Sequence, residues 1–225
     1  MLIFKFQVGN YVYFFFRETA VEYMNCGKTI YSRIARVCKK DTGGKNILLQ
    51  NWATYLKARL NCSIRGEFPF FFNEIQDVFK PSYDDTVFHA VFSTNQNGLH
   101  GSAICSFDLA DMETVFDGKF KEQATSTSMW LPVPSADVPK PRPGSCVADT
   151  RSLPDTVLNF IRKHPLMHRN VPHDASKPAF YQRDVTFTKI VVDNEVTISH
   201  FGGKSQDYTI YFAGTSDGRI YKISR

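Results

Sequence analysis

The chain has 225 residues, which suits one large domain or two small ones, and its 43% hydrophobic and 14% aromatic content suits a buried β core. The formal net charge is +5, but the basic residues are interleaved with Asp and Glu and form no stripe, which argues against nucleic acid as a partner. The sequence holds no run of about 18 uncharged apolar residues, so we expect no membrane insertion within this chain.

The sequence contains five cysteines, and none of their spacings resembles the CxxC or Cys and His pairs of a zinc site. Disulfides formed in an oxidising compartment are the better interpretation. An exported protein begins with a signal peptide, yet Lys5, Gln7 and Asn10 interrupt the apolar start and no small-residue cleavage site follows. We therefore expect the start and the end of the natural protein to lie outside this chain.

Three segments each combine an apolar strand, a polar turn and a second strand that opens near glycine. They are residues 11–37, 87–107 and 208–223. Residues 30–38, at the end of the first segment and one residue beyond it, alternate with the period of a strand, and the aromatic run 11–16 favours a strand covered on both faces. Recurring strand pairs of this kind fit a β-propeller and a β-sandwich about equally well.

Further strands are predicted between these hairpins. Residues 55–63 alternate, and their apolar side chains share one face. Residues 186–192 form a β-branched run suited to a central strand, which Asp193 closes before a turn.

Between residues 108 and 183 the pattern changes. Residues 108–116 predict a short helix that Gly118 ends, and the proline-rich stretch 131–144 predicts a rigid extended connector rather than an SH3-type ligand. Ser152 as cap, with Pro154 and Asp155 in the first turn, then predicts a helix that ends near His164.

Histidines offer one candidate metal site. His164 and His168 have the i, i+4 separation that zinc enzymes use on a helix, and His173 follows closely. However, Pro165 lies between the first two and the sequence has no HExxH motif. We therefore expect surface or partly packed histidines, with no metal and no cofactor.

Carboxylates offer one candidate for acid–base chemistry, of the kind that propeller glycosidases use. The pairs are Asp84 with Asp85 and Asp108 with Asp111. Adjacent carboxylates on a turn are usually solvated, and nothing in the sequence supplies the burial that would separate two pKa values. The sequence also has no GxSxG elbow and no phosphate-binding glycine loop, so we expect no catalytic residue and no enzyme.

From position 12 onward, the order of residues is more specific than the alternation of a strand requires. It resembles the sema domain of the semaphorins through VYFFFRETAVEY, GKTIYSRIARVCKKDTGG, NWATYLKARLNCS, FPFFFNEIQDVF, GSAICSF, FDGKFKEQ, VPKPRPGSCV, LPDTVLNFIRKHPLM, FTKIVVD and YFAGTSDGRIYKI. KEQ, NCGK and KARLNCS are most similar to the secreted semaphorins of invertebrates. Residues 1–10 match poorly.

The resemblance selects the propeller over the sandwich. It implies an all-β fold, a partial seven-bladed sema-type propeller of about three blades with a helix-containing insertion. Residues 1–225 would then form a partial sema domain, with 108–183 as the insertion, or extrusion, within a blade.

The resemblance also implies a function. Semaphorins are extracellular guidance ligands that bind plexin receptors in axon guidance and cell signalling, and they dimerise through propeller loops. The residues that match the family's receptor-facing edge are Arg162, Lys163, Gln182, Arg183 and Asp184. The alternative function is a carbohydrate-binding or glycoside-hydrolase-like propeller, which would need converging carboxylates, arginines or aromatics at the propeller mouth.

The family pattern pairs four of the cysteines as Cys38 with Cys146 and Cys62 with Cys105. Cys26 is then left over, and we expect it to form an intermolecular disulfide across a two-fold dimer. Asn61 begins a formal glycosylation acceptor, Asn61-Cys62-Ser63, but we expect little occupancy because it lies on a predicted strand beside a predicted disulfide.

Overall fold

The structure is a computed structural model, and it describes residues 1–23, 27–82, 84–95, 98–175, 177–199 and 205–225. The chain divides into two compact units. Unit 1 comprises Met1–Leu60 and Asp111–Val171, and unit 2 comprises Asn61–Ala110 and Pro172–Arg225. In the part of the chain that is described, no helix is long and apolar enough to cross a membrane.

Strands dominate both units. The strands are β1 (Leu2–Val8), β2 (Tyr11–Thr19), β3 (Ile30–Cys38), β4 (Leu56–Arg59), β5 (Ser63–Ile64), β6 (Phe70–Phe71), β7 (Glu74–Phe79), β8 (Val87–Ser93), β9 (Gly101–Asp108), β10 (Lys121–Gln123), β11 (Trp130–Pro132), β12 (Phe180–Arg183), β13 (Phe187–Ser199), β14 (Ser205–Thr215) and β15 (Ile220–Ser224). The helices are α1 (Leu109–Phe116) and α2 (Asp155–Lys163), with short 3-10 turns at Ser135–Asp137 and Thr150–Ser152.

Unit 1 is built on a four-stranded antiparallel sheet in the order β1-β2-β3-β4. The aromatic run of β2 alternates, so that Tyr13 and Phe15 are buried while their neighbours are half-buried, and the ring of Phe6 from β1 stacks on Tyr13 at 4.8 Å. From Ser32 to the end of β3 every side chain is buried, and because successive side chains point to opposite faces of the sheet, both faces are covered there. The sheet therefore has an inner strand that is covered on both faces.

Unit 2 contains a four-stranded sheet in the order β12-β9-β8-β7, a three-stranded sheet in the order β13-β14-β15, and the short pair β5-β6. The three hairpins expected from sequence are confirmed as the antiparallel pairs β2-β3, β8-β9 and β14-β15. One apolar core in unit 2 joins residues of its two larger sheets, with Val91, Ile104, Phe187, Ile190 and Tyr211 among its members.

The prediction for residues 186–192 was wrong in two respects. The strand β13 lies at the end of its sheet rather than in the centre, and it continues past Asp193 with a register shift between Asp193 and Val196. The physical reason is that only one face is covered. Ile190 and Val192 are buried whereas Val191 is 55% exposed, and β-branched residues suit a half-buried strand as well as a central one.

The start of the helix α2 also differs from the prediction. Ser152 lies in the preceding 3-10 turn, where its Oγ donates to the carbonyl of Asp149 at 2.7 Å, and the cap position is Pro154. A residue before proline is driven out of the helical region, and Leu153 is indeed extended, so the helix cannot begin before Pro154. Its end at Lys163, followed by His164, agrees with the prediction.

Residues 111–171 belong to unit 1, whereas the strands on either side of them in sequence, β9 and β12, belong to unit 2 and pair with each other. The segment therefore lies, in sequence, between two neighbouring strands of one sheet. Its bounds as an extrusion, 108–183, stay a prediction.

Candidate functional site

A cleft of about 490 Å³ opens in unit 2 beside the strand β12. Its walls are mainly apolar and aromatic: Ile64, Phe70, Phe72, Leu99 and Tyr181. Its polar rim comes from His100, Gln182, Arg183 and Asp184. Aromatic walls with a few polar groups at the edge are a usual composition of a binding site.

One wall of the cleft is fixed by a disulfide. The rings of Phe70 and Phe72 meet edge to face at 5.2 Å, and the amide of Phe72 donates to the carbonyl of Cys62 at 2.9 Å. Cys62 is bonded in turn to Cys105 in the buried strand β9, with 5.8 Å between the Cα atoms. The wall therefore stands on a rigid support, which lowers the entropy cost of binding.

The rim is shaped by a close approach of two backbones. Gly101 of β9 lies opposite Arg183 of β12, and a Cβ at Gly101 would lie 3.0 Å from the carbonyl oxygen of Gln182. Asp184 then takes a left-handed conformation, φ 58°, and its amide donates to the carbonyl of His100 at 3.1 Å. The strand ends there, so Gln182, Arg183 and Asp184 are presented together and exposed.

Two large side chains that line the cleft face solvent, since Leu99 is 78% exposed and Tyr181 is 48% exposed. Phe68, two residues before the cleft residue Phe70 in the chain, is 88% exposed. Clustered exposed apolar groups of this kind usually mark an interaction surface. The sequence reasoning missed Phe68 and Leu99. The available signal was the run FPFFF, which has more aromatic residues than one short strand can bury.

The other predicted contact residues, Arg162 and Lys163, lie at the end of α2 in unit 1. Both are exposed, and Nη2 of Arg162 donates to Oδ1 of Asn159 at 3.1 Å. Arg162 also lines a cleft of about 310 Å³ with Trp52 and Tyr55. The two predicted sets therefore belong to different units.

The structure brings together both expected cysteine pairs. Cys38 and Cys146 are bonded with 5.2 Å between their Cα atoms, which joins the end of β3 to the chain that follows the proline-rich connector. This distance, like that of the Cys62 bridge, is ordinary for a disulfide. Cys26 lies outside the described residues, so its intermolecular bond and the homodimer that it would join stay predictions.

Asn61 does not lie on a strand, contrary to expectation, since it falls between β4 and β5. Its side chain is half-buried, with Oδ1 buried and without a hydrogen-bond partner among the described residues. Low glycan occupancy at Asn61 stays a prediction.

The histidines are packed into separate places. His164 places Nε2 3.1 Å from Oε2 of Glu122 in unit 1, whereas His173 is buried in unit 2 with Nε2 3.0 Å from the carbonyl oxygen of Ser63. Among the described residues, no three His, Cys, Asp or Glu side chains are placed to hold a metal ion.

The candidate acid–base carboxylates close local turns. Oδ1 of Asp84 accepts from the amide and the hydroxyl of Thr86, at 2.7 and 2.6 Å, and these hydrogen bonds lower the pKa of Asp84. Oδ1 of Asp108 accepts from the amide of Ala110 at 2.7 Å, at the start of α1. A general acid needs a raised pKa, so the environment of Asp84 favours a turn-closing role.

A family model described as Sema domain matches residues 75–225. The chain belongs to the semaphorin family. It is 66% identical to Semaphorin-2A of Schistocerca gregaria, covering 97% of the chain and 31% of the relative, and 62% identical to Semaphorin-2A of Drosophila melanogaster, covering 97% and 30%. The chain thus spans about a third of the length of these semaphorins.

Solved semaphorin structures share the fold. Drosophila Semaphorin 2a superposes with a TM-score of 0.93 at 60% identity, covering 99% of this chain and 35% of that one. A structure titled Drosophila Plexin A in complex with Semaphorin 1b matches with a TM-score of 0.89 at 42% identity, covering 99% and 44%. The predicted fold class, an all-β partial sema-type propeller, is confirmed, and the sandwich is excluded. The predicted similarity to the secreted semaphorins of invertebrates is confirmed as well.

Proposed function

We propose that this chain is the receptor-binding part of an extracellular guidance ligand and that it binds a plexin receptor through the aromatic cleft of unit 2. The observation that carries the proposal is the exposure of Leu99 and Tyr181, two side chains that line the cleft beside its rim Gln182–Asp184. Aromatic residues and arginine are enriched at the centres of protein interfaces, where they contribute most of the binding energy.

Family membership supports the choice of receptor, since a semaphorin with the same fold is solved with Plexin A. Binding of a partner also fits the packing of unit 2. Its cleft is supported by a disulfide and by the tight contact of β12 with Gly101, so little ordering is needed when a partner docks.

We infer that the chain acts outside the cell as a binding partner and not as an enzyme. The two disulfides fit an oxidising compartment. A hydrolase would need Asp84 as an acid or a base, but Oδ1 of Asp84 accepts a hydrogen bond from the amide of Thr86 within a turn. The carbohydrate-binding alternative could also use aromatic walls, but the semaphorin relatives and the semaphorin–plexin structure favour the plexin ligand.

The test is binding of full-length protein to a plexin ectodomain by surface plasmon resonance. Tyr181→Ala, which truncates a wall of the cleft, should weaken binding at least tenfold, chiefly by faster dissociation. Arg183→Glu should slow association and change its salt dependence, because rim charges act mainly on encounter. Arg162→Glu with Lys163→Glu tests the second predicted set in the same assay.

The matched control is Lys39→Glu with Lys40→Glu, an exposed pair in the turn after β3, which makes the same charge change as the Arg162 and Lys163 pair. It should leave affinity within twofold of wild type. If Tyr181→Ala bound plexin as tightly as wild type, the cleft would not be part of the interface. Likewise, if reversal of Arg162 and Lys163 left binding unchanged, the end of α2 would not be part of it.

A further inference from the structure

Unit 1 contains a second cleft, of about 330 Å³, that the receptor proposal does not use. Two basic sequences that are separate in the chain meet there, KFK and KPR, which contribute Lys119 from one and Lys140 and Arg142 from the other. Its volume is at the lower end of the range for small-ligand pockets, about 300 Å³.

Arg142 is held in place by the protein. Its Nη2 donates to the carbonyl of Phe116 at 3.1 Å and to the carbonyl of Gly118, and the guanidinium lies 4.7 Å from the centroid of the Phe120 ring. Both hydrogens of Nη2 are thereby engaged within the protein, so Arg142 offers a fixed positive charge at the cleft without a further loss of rotamer freedom. By contrast, Lys119 and Lys140 are exposed and free to follow a ligand.

The charge around the cleft is unbalanced. Among the described residues that line it, three are cationic and one, Asp117, is acidic. The carboxylate of Asp117 is itself 3.6 Å from Nη2 of Arg36, a buried side chain, so part of its charge is already offset. The lining therefore has an excess of positive charge, which favours an anionic group.

The walls decide what carries that anionic group. Phe120, Val133, Val138 and Pro139 line the cleft, and Ser135 contributes its one hydroxyl. A sugar would leave several hydroxyl groups against these apolar walls without partners, and each would lose its hydrogen bonds to water. An aromatic ring has no such groups, and the apolar walls can cover its faces.

We propose that this cleft binds an aryl oxyanion ester, a tyrosine side chain of a peptide that carries sulfate or phosphate. The ring lies against Val133, Val138 and Pro139, and the oxyanion meets Arg142 with Lys119 and Lys140. Clusters of arginine and lysine that bind a modified residue of a peptide are an established mode of recognition.

Isothermal titration calorimetry of full-length protein tests the proposal with three probes, the N-acetyl amides of O-sulfotyrosine, O-phosphotyrosine and unmodified tyrosine. The two esters should bind saturably, more tightly at 50 mM than at 200 mM salt, and unmodified tyrosine should not. Whichever ester binds more tightly identifies the modification. Equal binding of all three, or of none at millimolar concentration, would overturn the proposal.

Two variants locate the site. Lys119→Ala with Lys140→Ala should weaken ester binding at least fivefold, whereas Lys39→Ala with Lys40→Ala, which removes the same charge from an exposed turn, should change it by less than twofold. Equal weakening in both would show a non-specific charge effect and reject the cleft. Arg142→Lys keeps a positive charge but loses the anchoring of the guanidinium to the carbonyls of Phe116 and Gly118, and it should weaken ester binding about tenfold. The melting temperature of this variant is measured in parallel.

Discussion

The two units differ in where their most unfavourable groups lie, although both expose some large apolar side chains. In unit 1, Arg33 is fully buried, and its guanidinium contacts Glu22 through two bonds of 2.6 Å and Glu18 at 2.8 Å. Unit 2 holds the two most exposed large apolar side chains among the described residues, Phe68 and Leu99, which are 88% and 78% exposed. The carboxylates that offset the burial of Arg33 lie within unit 1, whereas the apolar surfaces of Phe68 and Leu99 face solvent.

Groups whose partners lie within the same unit stabilise the fold, whereas exposed apolar groups are available to bind another molecule. In unit 1, Lys57 completes the arrangement with two bonds to Glu18 at 2.7 and 2.9 Å, so this network is internally satisfied. Burial alone would raise the pKa of Glu22, yet the hydrogen bonds and charge of Arg33 hold that pKa below its ordinary value. A satisfied network leaves little to offer a ligand, whereas an exposed aromatic cleft gains free energy when a partner covers it.

The largest expected effect comes from the two disulfides, one in each unit. The Cys38–Cys146 bridge spans 108 residues and the Cys62–Cys105 bridge spans 43. By loop entropy, replacing the first pair with alanine should lower the free energy of unfolding by about 5 kcal/mol and the second by about 4 kcal/mol. Chemical denaturation of the two double variants and wild type measures this. A larger loss from the shorter loop would contradict the entropic account.

Breaking the buried charge network should cost nearly as much. Arg33→Met keeps volume but leaves Glu18 and Glu22 without their central partner, and we expect a loss of about 3 to 5 kcal/mol in the free energy of unfolding. Arg169→Met, at an exposed position, is the matched control and should change it by less than about 0.5 kcal/mol. If the two variants were equally stable, the network would be incidental to folding and the contrast between the units would fail.

Much of the fold was predictable because it depends on local periodicity and on family motifs. The hairpin around β2 and β3 follows from alternation in the sequence, and Gly118 ends α1 as expected, its amide bonded to Val115 at 3.1 Å. The sequence did not predict which group each polar side chain would bond to. Asp41 follows the hairpin as an ordinary turn residue, yet its carboxylate accepts from Gly43, Ala53 and Thr54.

The candidate site was predictable only in part, for the same reason. The rim Gln182–Asp184 came from the family resemblance, but its shape depends on Gly101, which lies about 80 residues away and pairs with Arg183. Likewise the β-branched run of β13 could not show which face would be covered, because that depends on the neighbouring sheet. The run FPFFF indicated that some aromatic residues of that stretch stay exposed, but which ones do so, and the exposure of Leu99, are tertiary properties.

The smallest expected effect concerns a buried histidine of unit 2 and extends the comparison to pH. His89 is buried, its Nδ1 lies 2.8 Å from Oγ of Ser106, and its ring meets Tyr211 edge to face at 5.5 Å. Burial lowers the pKa of His89 from 6.5 to about 4, against the opposing charges of Asp84 and Asp174. Arg33 contacts two carboxylates, whereas the described hydrogen bond of His89 is to a hydroxyl, so the folded state favours the neutral ring.

Because the folded pKa is below the unfolded one, the stability that neutral His89 contributes is complete above about pH 6.5 and is lost as the pH falls toward 4. The loss between pH 7.5 and 4.5 should be about 2 to 3 kcal/mol in wild type. His89→Asn cannot titrate in this range, and its amide can still reach Ser106. Between pH 7.5 and 4.5 the unfolding free energy of His89→Asn should therefore fall by about 2 to 3 kcal/mol less than that of wild type. Chemical denaturation of both proteins in parallel at each pH measures this difference. Parallel curves for the two proteins would show that His89 titrates as an exposed histidine does, and that unit 2 tolerates a buried charge as unit 1 does.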